Sequence, residues 1–365
     1  MDKRNQSVFI CFLFAAMLAG GLLLSVLLPK AAESASERRA LAGMPRLSVQ
    51  SLQSGRFMSG FEAYATDHFP FRDSFRTLKA MCAAHIFAKK DNNGIYETDG
   101  FLAAVEYPRN DASLERAAER FRAVCERYLT AENRVYLSVI PDKGCFLARE
   151  SGHLCMDYAD FEKEMETFAD FAQYIRISDL LERDDYYRTD THWRQERISD
   201  VAERLAQAMD TTLVPDYEMH TLTQDFYGVY YGQAALPLAP DKLSCLTGAA
   251  IDGCTAYDWQ NDRKIPVYDL KRAWGRDPYE LFLSGPLSLI TIENPQAQTG
   301  RRLVIFRDSF ASSLAPLLVS GYAQITLVDI RYIHPDALGE LVDFSGCDVL
   351  FLYSTLVLNN SGTLK

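Results

Sequence analysis

The sequence predicts an α/β protein with a mostly parallel β-sheet, helices on both faces, an N-terminal transmembrane helix, and an inserted β-rich or loop region. Three observations support this prediction. Short apolar runs alternate with helix-like segments, residues 8–28 carry no charge, and a section rich in Tyr at about 213–284 breaks the alternation. Apolar strands that alternate with helices are typical of parallel sheets whose two faces are both covered.

The elements of the sheet follow one another along the chain. The turn Asn92-Asn93-Gly94 introduces two short strand-like pieces, 94–97 and 100–105. The alternation that follows comprises the helix Ser113–Thr130, the strand Val135–Ile140, the helix Phe161–Tyr174, the strand Ile175–Ser178, the helix His192–Met209, the strand Leu303–Phe306, the helix Ser312–Val319, the strand Ile325–Ile330, the helix Pro335–Val342 and the strand Val349–Tyr353.

The N-terminus predicts a signal anchor. Lys3 and Arg4 precede an uncharged stretch from Val8 to Leu28, which would span roughly 30 Å as a helix, about the thickness of a bilayer core. This stretch is longer than the apolar part of most signal peptides, about 7–15 residues, although the small residues at 31–36 also allow cleavage. The basic residues would keep the N-terminus in the cytoplasm, so we expect a single-pass protein of the cell membrane with most of the chain extracytoplasmic.

Domain organisation follows from these features. We expect residues 1–30 to form a cytoplasmic stub and the transmembrane signal anchor, and 31–93 to form a tether and a helical region. Residues 94–365 would form the main domain, with the insertion at about 213–284. The composition, 48% hydrophobic and 24% charged, is that of a folded protein. A net charge of -11 without a basic run of five or more excludes nucleic acid as a partner.

The eight cysteines leave the redox state open. In an exported chain, Cys145 with Cys155 or Cys245 with Cys254 could form a disulfide across a short loop, and free buried thiols are an equal alternative. The sequence contains no Cys-x-x-Cys pair, which argues against zinc or thioredoxin-like chemistry. We therefore predict no metal and no cofactor.

The pentapeptide FRDSF occurs twice, at 71–75 and at 306–310. The second copy lies between a predicted strand and a predicted helix, which places the Ser309 hydroxyl beyond the carboxyl end of the sheet and makes it a candidate nucleophile. The alternative is that Asp308 or Ser309 only caps the helix. The first copy has no strand in front of it, so Ser74 is predicted in the first turn of an amphipathic helix, with Phe71 and Phe75 packed on one face.

A partner base is predicted around His192. Asp190 lies two residues upstream, where its carboxylate could orient the imidazole, and Trp193 could exclude water from one side. The alternative is that Thr189, Asp190 and Thr191 cap the helix His192–Met209. His334 is a second candidate base, and Arg331 could contact an anion or a sugar at the same edge of the sheet.

These residues carry a family resemblance. Tyr187-Arg-Thr-Asp-Thr-His-Trp193 and Leu303-Val-Ile-Phe-Arg-Asp-Ser-Phe310 resemble the two motifs of the exported SGNH-like proteins called the DHHW family and, more distantly, of the alginate O-acetyltransferases. The resemblance runs nearly the full length and includes the segments Tyr64–Asp73, Ile140–Lys143, Phe282–Pro286 and Phe351–Ser354 with Asn359-Asn360. Two positions differ: Thr191 stands where the family name has a second His, and Arg307 stands where SGNH proteins have Gly.

The resemblance implies an SGNH-hydrolase-like fold and a triad of Ser309, His192 and Asp190. It implies transfer of acetyl groups to a cell-envelope polysaccharide through an acyl-serine, beside a membrane-bound O-acyltransferase protein that donates them. A carbohydrate esterase with the same triad and a non-catalytic glycan-binding or scaffold protein are the alternatives. Candidate residues for substrate or oxyanion contact are Asp308, Arg307, Trp193, Tyr187, Arg331 and Tyr353.

Overall fold

The computed structural model describes residues 3–365, with side chains from Asn5 onward. The side chains of Lys3 and Arg4, whose charge predicts the orientation in the membrane, lie outside the described residues. The chain divides into two compact units: Met1–Asn92 with Ala235–Pro237, and Asn93–Ala234 with Leu238–Lys365. The domain limits expected from the sequence remain predictions.

The first unit is mainly helical. Its elements are α1 (Lys3–Leu27), β1 (Glu33–Ser34), β2 (Arg39–Ala40), α2 (Val49–Gln53), α3 (Arg56–Asp67) and α4 (Arg72–Met81), followed by one π-helical turn at Cys82–Ile86. Within α1, Asn5–Leu27 is long and apolar enough to cross a membrane, a property that signal sequences share. Strands β1 and β2 pair antiparallel as a minimal hairpin in the segment expected to be a tether.

The first FRDSF copy begins α4. Asp73 lies in the first turn, where a carboxylate complements the positive end of the helix dipole, and Ser74 follows inside the helix as predicted. The predicted packing of the two phenylalanines is wrong. Phe71 is 62% exposed and Phe75 is 53% exposed, because α4 buries only Ala80 among its own residues.

The second unit contains the main sheet. Its helices are α5 (Asp111–Tyr128), α6 (Gly144–Leu147), α7 (Tyr158–Phe168), α8 (Ser199–Ala208), α9 (Val229–Ala234), α10 (Ala249–Asp252), α11 (Ala311–Leu318) and α12 (Thr355–Leu358). Its strands are β3 (Ile95–Thr98), β4 (Phe101–Ala104), β5 (Arg134–Ile140), β6 (Gln173–Tyr174), β7 (Glu218–Phe226), β8 (Asp241–Thr247), β9 (Thr255–Asp258), β10 (Arg263–Ile265), β11 (Leu289–Glu293), β12 (Arg302–Arg307), β13 (Gln324–Val328) and β14 (Asp348–Ser354). Short 3-10 helices lie at Arg183–Asp185, Gln195–Arg197, Leu270–Trp274, Pro278–Leu281, Val319–Gly321, Pro335–Glu340 and Ser361–Thr363.

The sheet has eight strands in the order β10-β9-β11-β13-β12-β14-β5-β6. The five strands from β13 to β6 are parallel, and the three strands at the other edge are antiparallel. The predicted mostly parallel α/β sheet is therefore confirmed. Because β12, β14 and β5 are parallel neighbours, the loops after their carboxyl ends meet at one edge of the sheet.

Helices cover both faces of the sheet, as predicted. Along β12, Leu303 and Ile305 pack with α8 and α11, whereas Val304 and Phe306 pack with α5 and α7 on the opposite face. This alternation follows from the two-residue period of a strand. Both sets of side chains are buried, which explains why the strand reads as a continuous apolar run in the sequence.

The inserted region contributes to the sheet as well as to loops. Strands β7 and β8 form an antiparallel hairpin of their own, whereas β9 and β10 extend the main sheet beside β11. Among the described residues all eight cysteines are free, so neither of the two disulfides that the sequence allows is present.

The prediction of a long helix over His192–Met209 is wrong. Trp193 instead forms an isolated antiparallel bridge with Tyr186, a 3-10 turn follows at Gln195–Arg197, and α8 begins only at Ser199. Tertiary packing explains the difference, because Trp193 is fully buried and its indole donates to groups of α11 and the turn before it. His192 therefore lies in a loop and not at the start of a helix.

Candidate active site

Ser309 lies in the turn between β12 and α11, at the carboxyl edge of the parallel strands. Its Oγ is 2.7 Å from Nε2 of His192, although the two residues are 117 positions apart in the sequence. Ser309 is partly exposed, whereas its neighbours Asp308 and Phe310 are buried. Ser309 is thus the member of this tripeptide that solvent can reach.

Asp190 holds the other side of the imidazole. Its Oδ1 lies 2.5 Å from His192 Nδ1 and also accepts from the His192 N–H at 3.1 Å. Oδ2 accepts from the Val229 N–H at 2.8 Å. A carboxylate at Nδ1 places the ring proton there and leaves the Nε2 lone pair directed at Ser309. The three side chains form one hydrogen-bonded series in the order of a nucleophile, a base and an orienting group.

The helix-capping alternative does not describe Thr189, Asp190, Thr191 or Ser309, whereas Asp308 Oδ1 accepts from the N–H of Phe310, the N-cap residue of α11. Helix α8 has Ile198 at its N-cap and no side-chain cap, so Thr189, Asp190 and Thr191 do not cap it. The N-cap of α11 is Phe310, which likewise makes no side-chain cap. The Ser309 hydroxyl contacts the imidazole instead of the orphan N–H groups of the helix.

Lys143 anchors the segment that carries Asp190. Its ammonium donates to the carbonyl oxygens of Tyr187 and Asp190, both at 2.6 Å, and to that of Arg188 at 3.2 Å. These three bonds use all three of its donors. Lys143 is fully buried, and burial lowers its pKa to about 8 against the attraction of nearby Asp142. No role for this residue is predicted from the sequence, although it belongs to the segment Ile140–Lys143 at the end of β5.

The Asp241 carboxylate fixes the same segment. Asp241 accepts from the N–H groups of Arg188 at 2.9 Å and Thr189 at 2.8 Å, and from the Thr189 hydroxyl at 2.6 Å. Gly228 packs directly against Asp190, because a Cβ at position 228 would lie 2.3 Å from the Asp190 Cα. These contacts hold the carboxylate in place before any substrate binds.

Aromatic rings enclose the imidazole. Tyr279 stacks on His192 with ring centroids 3.8 Å apart and an interplanar angle of 7°, and Phe310 lies at 4.9 Å. The Tyr279 hydroxyl is 2.8 Å from the Ser313 Oγ, and the Trp193 indole donates to that Oγ and to the Phe310 carbonyl. The Ser313 hydroxyl thus links Trp193 to Tyr279, and the rings of Tyr279 and Phe310 flank His192. Tyr279 was not recognised in the sequence.

Five of the six predicted contact residues lie in the interior. Asp308, Arg307, Trp193, Tyr187 and Tyr353 are each at most 1% exposed, so in this structure they support the site and do not line it. Asp308 Oδ2 accepts from the Ser354 N–H and hydroxyl at 2.8 and 2.6 Å, and Oδ1 accepts from the Phe310 N–H at 3.1 Å. Asp308 thereby ties the turn of Ser309 to the end of β14.

The buried Arg307 guanidinium bonds to the segment that carries Ser309, because its Nη1 donates to the Asp308 carbonyl at 3.3 Å. Its guanidinium donates to the Ser312 hydroxyl at 3.1 Å and to the Leu287 carbonyl at 3.3 Å, and its Nε has no partner among the described residues. Burial lowers the pKa of Arg307. The bulky residue that stands where SGNH proteins have Gly is therefore accommodated in the interior, where it bonds to residues on both sides of Ser309.

Arg331 and His334 do not join the hydrogen-bonded series. The Arg331 guanidinium forms a two-pronged pair with the buried Asp329 carboxylate, at 2.9 and 2.7 Å, and its side chain is 19% exposed. His334 caps a 3-10 helix through the Asp336 N–H and is 61% exposed. His192 therefore occupies the position of a base, and Arg331 remains a candidate contact at the rim.

One backbone donor accompanies the nucleophile candidate. Among residues 3–365, the Ser309 N–H has no hydrogen-bond acceptor. It belongs to a residue two positions before the start of α11, where the positive end of the helix dipole favours a developing negative charge. Within the same described residues, no group of three His, Cys, Asp or Glu side chains is arranged to hold a metal ion.

Comparisons with known proteins show that solved structures share this fold. No family model matches the sequence, and no curated protein matches it. A DHHW family protein from Eubacterium siraeum aligns with a TM-score of 0.59 at 19% identity, covering 75% of this chain and 95% of that one. PatB1 of Bacillus cereus aligns with a TM-score of 0.57 at 18% identity, covering 72% of this chain and 96% of that one, and it has also been solved with a sulfonyl adduct.

A third solved structure aligns more weakly. The O-acetyltransferase domain of AlgJ from Pseudomonas putida reaches a TM-score of 0.45 at 14% identity, over 73% of this chain and 92% of that one. The resemblance to the DHHW family that the sequence motifs predict is confirmed at the level of the fold by the protein from Eubacterium siraeum.

Proposed function

We propose that this protein is an extracytoplasmic O-acetyltransferase, in which Ser309, His192 and Asp190 form the catalytic triad. One observation carries the proposal: the unbroken series from Ser309 Oγ through the imidazole to the Asp190 carboxylate, at 2.7 and 2.5 Å. A nucleophile, a base and an orienting group in this order are what acyl transfer through a covalent intermediate requires.

The first half of the reaction acylates the enzyme. Ser309 Oγ attacks the carbonyl carbon of an acetyl ester while Nε2 of His192 takes the hydroxyl proton, and Asp190 stabilises the imidazolium. The Ser309 N–H donates to the resulting oxyanion. Collapse breaks the ester bond, the imidazolium returns the proton to the departing alkoxide, and acetyl-Ser309 remains.

The second half transfers the acetyl group to a sugar hydroxyl. The hydroxyl oxygen attacks the acetyl carbon while Nε2 takes its proton. Collapse of the second tetrahedral intermediate breaks the bond to Ser309 Oγ, which regains a proton from the imidazolium. Water must be kept out for transfer to prevail over hydrolysis. The stacking of Tyr279 on His192 and the proximity of Phe310 support this requirement, because both rings displace water from the imidazole.

The motif resemblance and helix α1 support the cellular setting. The DHHW family and the alginate O-acetyltransferases, whose motifs this sequence resembles, imply a cell-envelope polysaccharide as acceptor. The apolar Asn5–Leu27 segment supports a single-pass anchor that keeps the domain beside the membrane. We propose that a membrane-bound O-acyltransferase protein delivers the acetyl group to Ser309.

Covalent labelling tests the triad. PatB1 has been solved with a sulfonyl adduct, so a sulfonyl fluoride is a suitable probe, and we expect it to modify Ser309. Labelling should fall by roughly 10³-fold or more in the Ser309→Ala and His192→Ala variants. Ser74→Ala is a matched control, because it removes the same residue from the other FRDSF copy and should label normally. A folded protein that is not labelled would favour a glycan-binding role.

A product assay separates transfer from hydrolysis. The protein is supplied with p-nitrophenyl acetate and short oligosaccharides, and the products are examined by mass spectrometry. An acetylated oligosaccharide that disappears with Ser309→Ala supports the transferase. Release of free acetate alone, at every oligosaccharide concentration, would instead identify an esterase that uses the same triad.

A further inference from the structure

Helices α3 and α4 expose an apolar surface in the first unit. An open groove of about 800 Å³ lies between them, and the residues that matter here are Met58, Phe61, Phe69, Phe75, Arg76 and Lys79. The four apolar side chains are 61%, 41%, 52% and 53% exposed, respectively. We refer to this surface as the α3–α4 groove.

The two helices have almost no core of their own. Helix α3 buries none of its residues, and α4 buries only Ala80. Contiguous exposed surface of this kind is uncommon on soluble monomers and marks a site of association with a protein or a membrane. The α3–α4 groove therefore requires an occupant, and neighbouring features of the same unit indicate which one.

The chain ties the groove to the end of α1. The β1–β2 hairpin binds α3 and α4 through ion pairs: Arg39 donates to Asp67 at 2.5 and 2.8 Å, and Arg72 donates to Glu37 at 2.6 Å. The Ala42 N–H adds a bond of 2.8 Å to the Asp67 carboxylate. Burial alone would raise the pKa of Glu37, but the hydrogen bond from Arg72 and the charges of the nearby arginines outweigh it, so this pKa is lowered.

This connection is short. Helix α1 ends at Leu27 and β1 begins at Glu33, so six residue steps join them and span at most about 20 Å. If α1 crosses the bilayer, the hairpin and the helices bound to it are held within reach of the membrane surface. A partner elsewhere in the cell envelope would not require such a short link.

The charge of this part of the chain fits a membrane surface. Residues 30–92 contain ten Lys and Arg against six Asp and Glu, whereas the whole chain contains 38 against 49. Arg76 and Lys79 line the groove beside the phenylalanines, with Glu62 as the acidic residue among them. Within the chain, Arg76 pairs with Glu37 at 3.4 Å and Lys79 donates to Asn92 at 2.6 Å. Aromatic and apolar side chains next to basic ones are typical of helices that lie in the interface of anionic membranes.

We propose that the α3–α4 groove is a membrane-binding surface, which lies on the anionic bilayer from which α1 emerges. Phe61 and Phe75 enter the headgroup layer, and Arg76 and Lys79 bind lipid phosphates. This proposal goes beyond acyl transfer and rests on the anchoring role of α1, not on the triad.

Photocrosslinking of the full-length protein tests this surface. Benzoylphenylalanine replaces Phe75, or Leu154 of the second unit as a control that is 62% exposed. Each variant is reconstituted into vesicles of phosphatidylcholine with phosphatidylglycerol, irradiated and analysed by mass spectrometry. We expect lipid adducts at position 75 and at least fivefold fewer at position 154. Crosslinks at position 75 to a second protein copy only, or no lipid adducts, would overturn the proposal.

The charge of the lipid provides a second test of the proposal. Adducts at position 75 should fall when phosphatidylglycerol is omitted, and Lys79→Glu should reduce them roughly fivefold or more in the mixed vesicles. Equal yields in both kinds of vesicle would refute recognition of anionic lipid. Resistance of the protein to alkaline extraction from the vesicles separately measures anchoring by α1. A protein that is extracted would overturn the premise that α1 crosses the bilayer. Labelling of Ser309 by sulfonyl fluoride monitors the triad, so its failure is distinguishable from failure of the membrane surface.

Discussion

Asp190 uses both carboxylate oxygens, one for His192 and one for the Val229 N–H, which is 39 positions away. Its own carbonyl accepts from Lys143. A side chain with both carboxylate oxygens bonded has few alternative rotamers, and in the proposed reaction this pre-organisation would lower the cost of reaching the transition state. Residues that never touch a substrate therefore set the geometry of the site.

Lys143→Met tests this positioning. The substitution keeps most of the volume but leaves three buried carbonyl oxygens without a donor, so we expect a loss of about 3–5 kcal/mol in the free energy of unfolding. The p-nitrophenyl acetate reaction should slow roughly 100-fold through kcat. A wild-type rate for this variant would show that the lysine does not position Asp190.

The wild type should also lose activity at alkaline pH. Burial lowers the pKa of Lys143 to about 8, so the ammonium loses a proton, and one donor, as the pH rises through that value. The Lys143→Met variant should lack this alkaline decline. The measurement is the pH profile of kcat for both proteins.

Glu106 predicts a pH-dependent stability. Burial, with a contribution from the nearby Asp142 carboxylate, raises its pKa to about 8 from an ordinary value of 4.5. The folded state then binds more protons than the unfolded state between these two values, so wild-type stability falls as the pH rises through this window. Glu106→Gln removes this dependence. The difference in thermal unfolding midpoint between the two proteins, measured from pH 5 to about pH 9, should grow with pH in favour of the variant.

Sequence patterns locate the reacting side chains better than their supports. Asp190, His192 and Ser309 stand in two short motifs that reflect local placement, and the structure brings them within hydrogen-bond distance. Their catalytic role remains a prediction. Tyr279 and Lys143 are distant in sequence from both motifs, and only the folded chain brings them to the site. No local sequence pattern distinguishes an aromatic or basic residue that will be buried there.

Among the secondary-structure elements, the loop that carries His192 differs from the helix that sequence periodicity predicts. The segment His192–Met209 has the apolar spacing of a helix, yet its first residues belong to the site and α8 begins at Ser199. Three contacts hold this start out of helical conformation: the bridge from Trp193 to Tyr186, the indole donation into the start of α11, and the pair of His192 with Asp190. Tertiary contacts override helix propensity here.

Gly228 tests the contact between this loop and the start of α9. Gly228→Ala would place a Cβ 2.3 Å from the Asp190 Cα, so one of the two backbones must shift. We expect a destabilisation of about 1–3 kcal/mol and a roughly 100-fold loss of sulfonyl fluoride labelling at Ser309. Gly300→Ala is the control, because nothing lies within 4 Å of its added Cβ. Equal labelling of the two variants would contradict a positioning role for this contact.

On the scale of the whole molecule, the sheet was predictable and its antiparallel edge was not. Strands β12, β13, β14 and β5 have continuous apolar sequences because both faces are covered. Strands β9 and β10 are short and partly exposed, so their sequences do not distinguish edge strands from loops. The order of strands depends on long-range pairing, which local sequence does not encode.

The fate of α1 decides where the molecule resides. If it is an anchor, the mature protein keeps its N-terminus and resists extraction from membranes at alkaline pH. Leu13→Arg with Leu18→Arg should abolish this retention, because each arginine near the middle of a membrane helix costs about 2.5–3.5 kcal/mol of insertion. Mass spectrometry of the mature N-terminus is the check, and a chain that begins within 31–37 would identify a cleaved signal sequence.

The two FRDSF copies have opposite accessibility, and this makes the pentapeptide an internal reporter of folding. In the first copy both phenylalanines are more than half exposed, whereas in the second Phe306, Arg307, Asp308 and Phe310 are at most 2% exposed. An antibody raised against the free pentapeptide should therefore bind one epitope per native molecule and two per denatured molecule. Its stoichiometry would measure the opening of the β12–α11 turn without any added label.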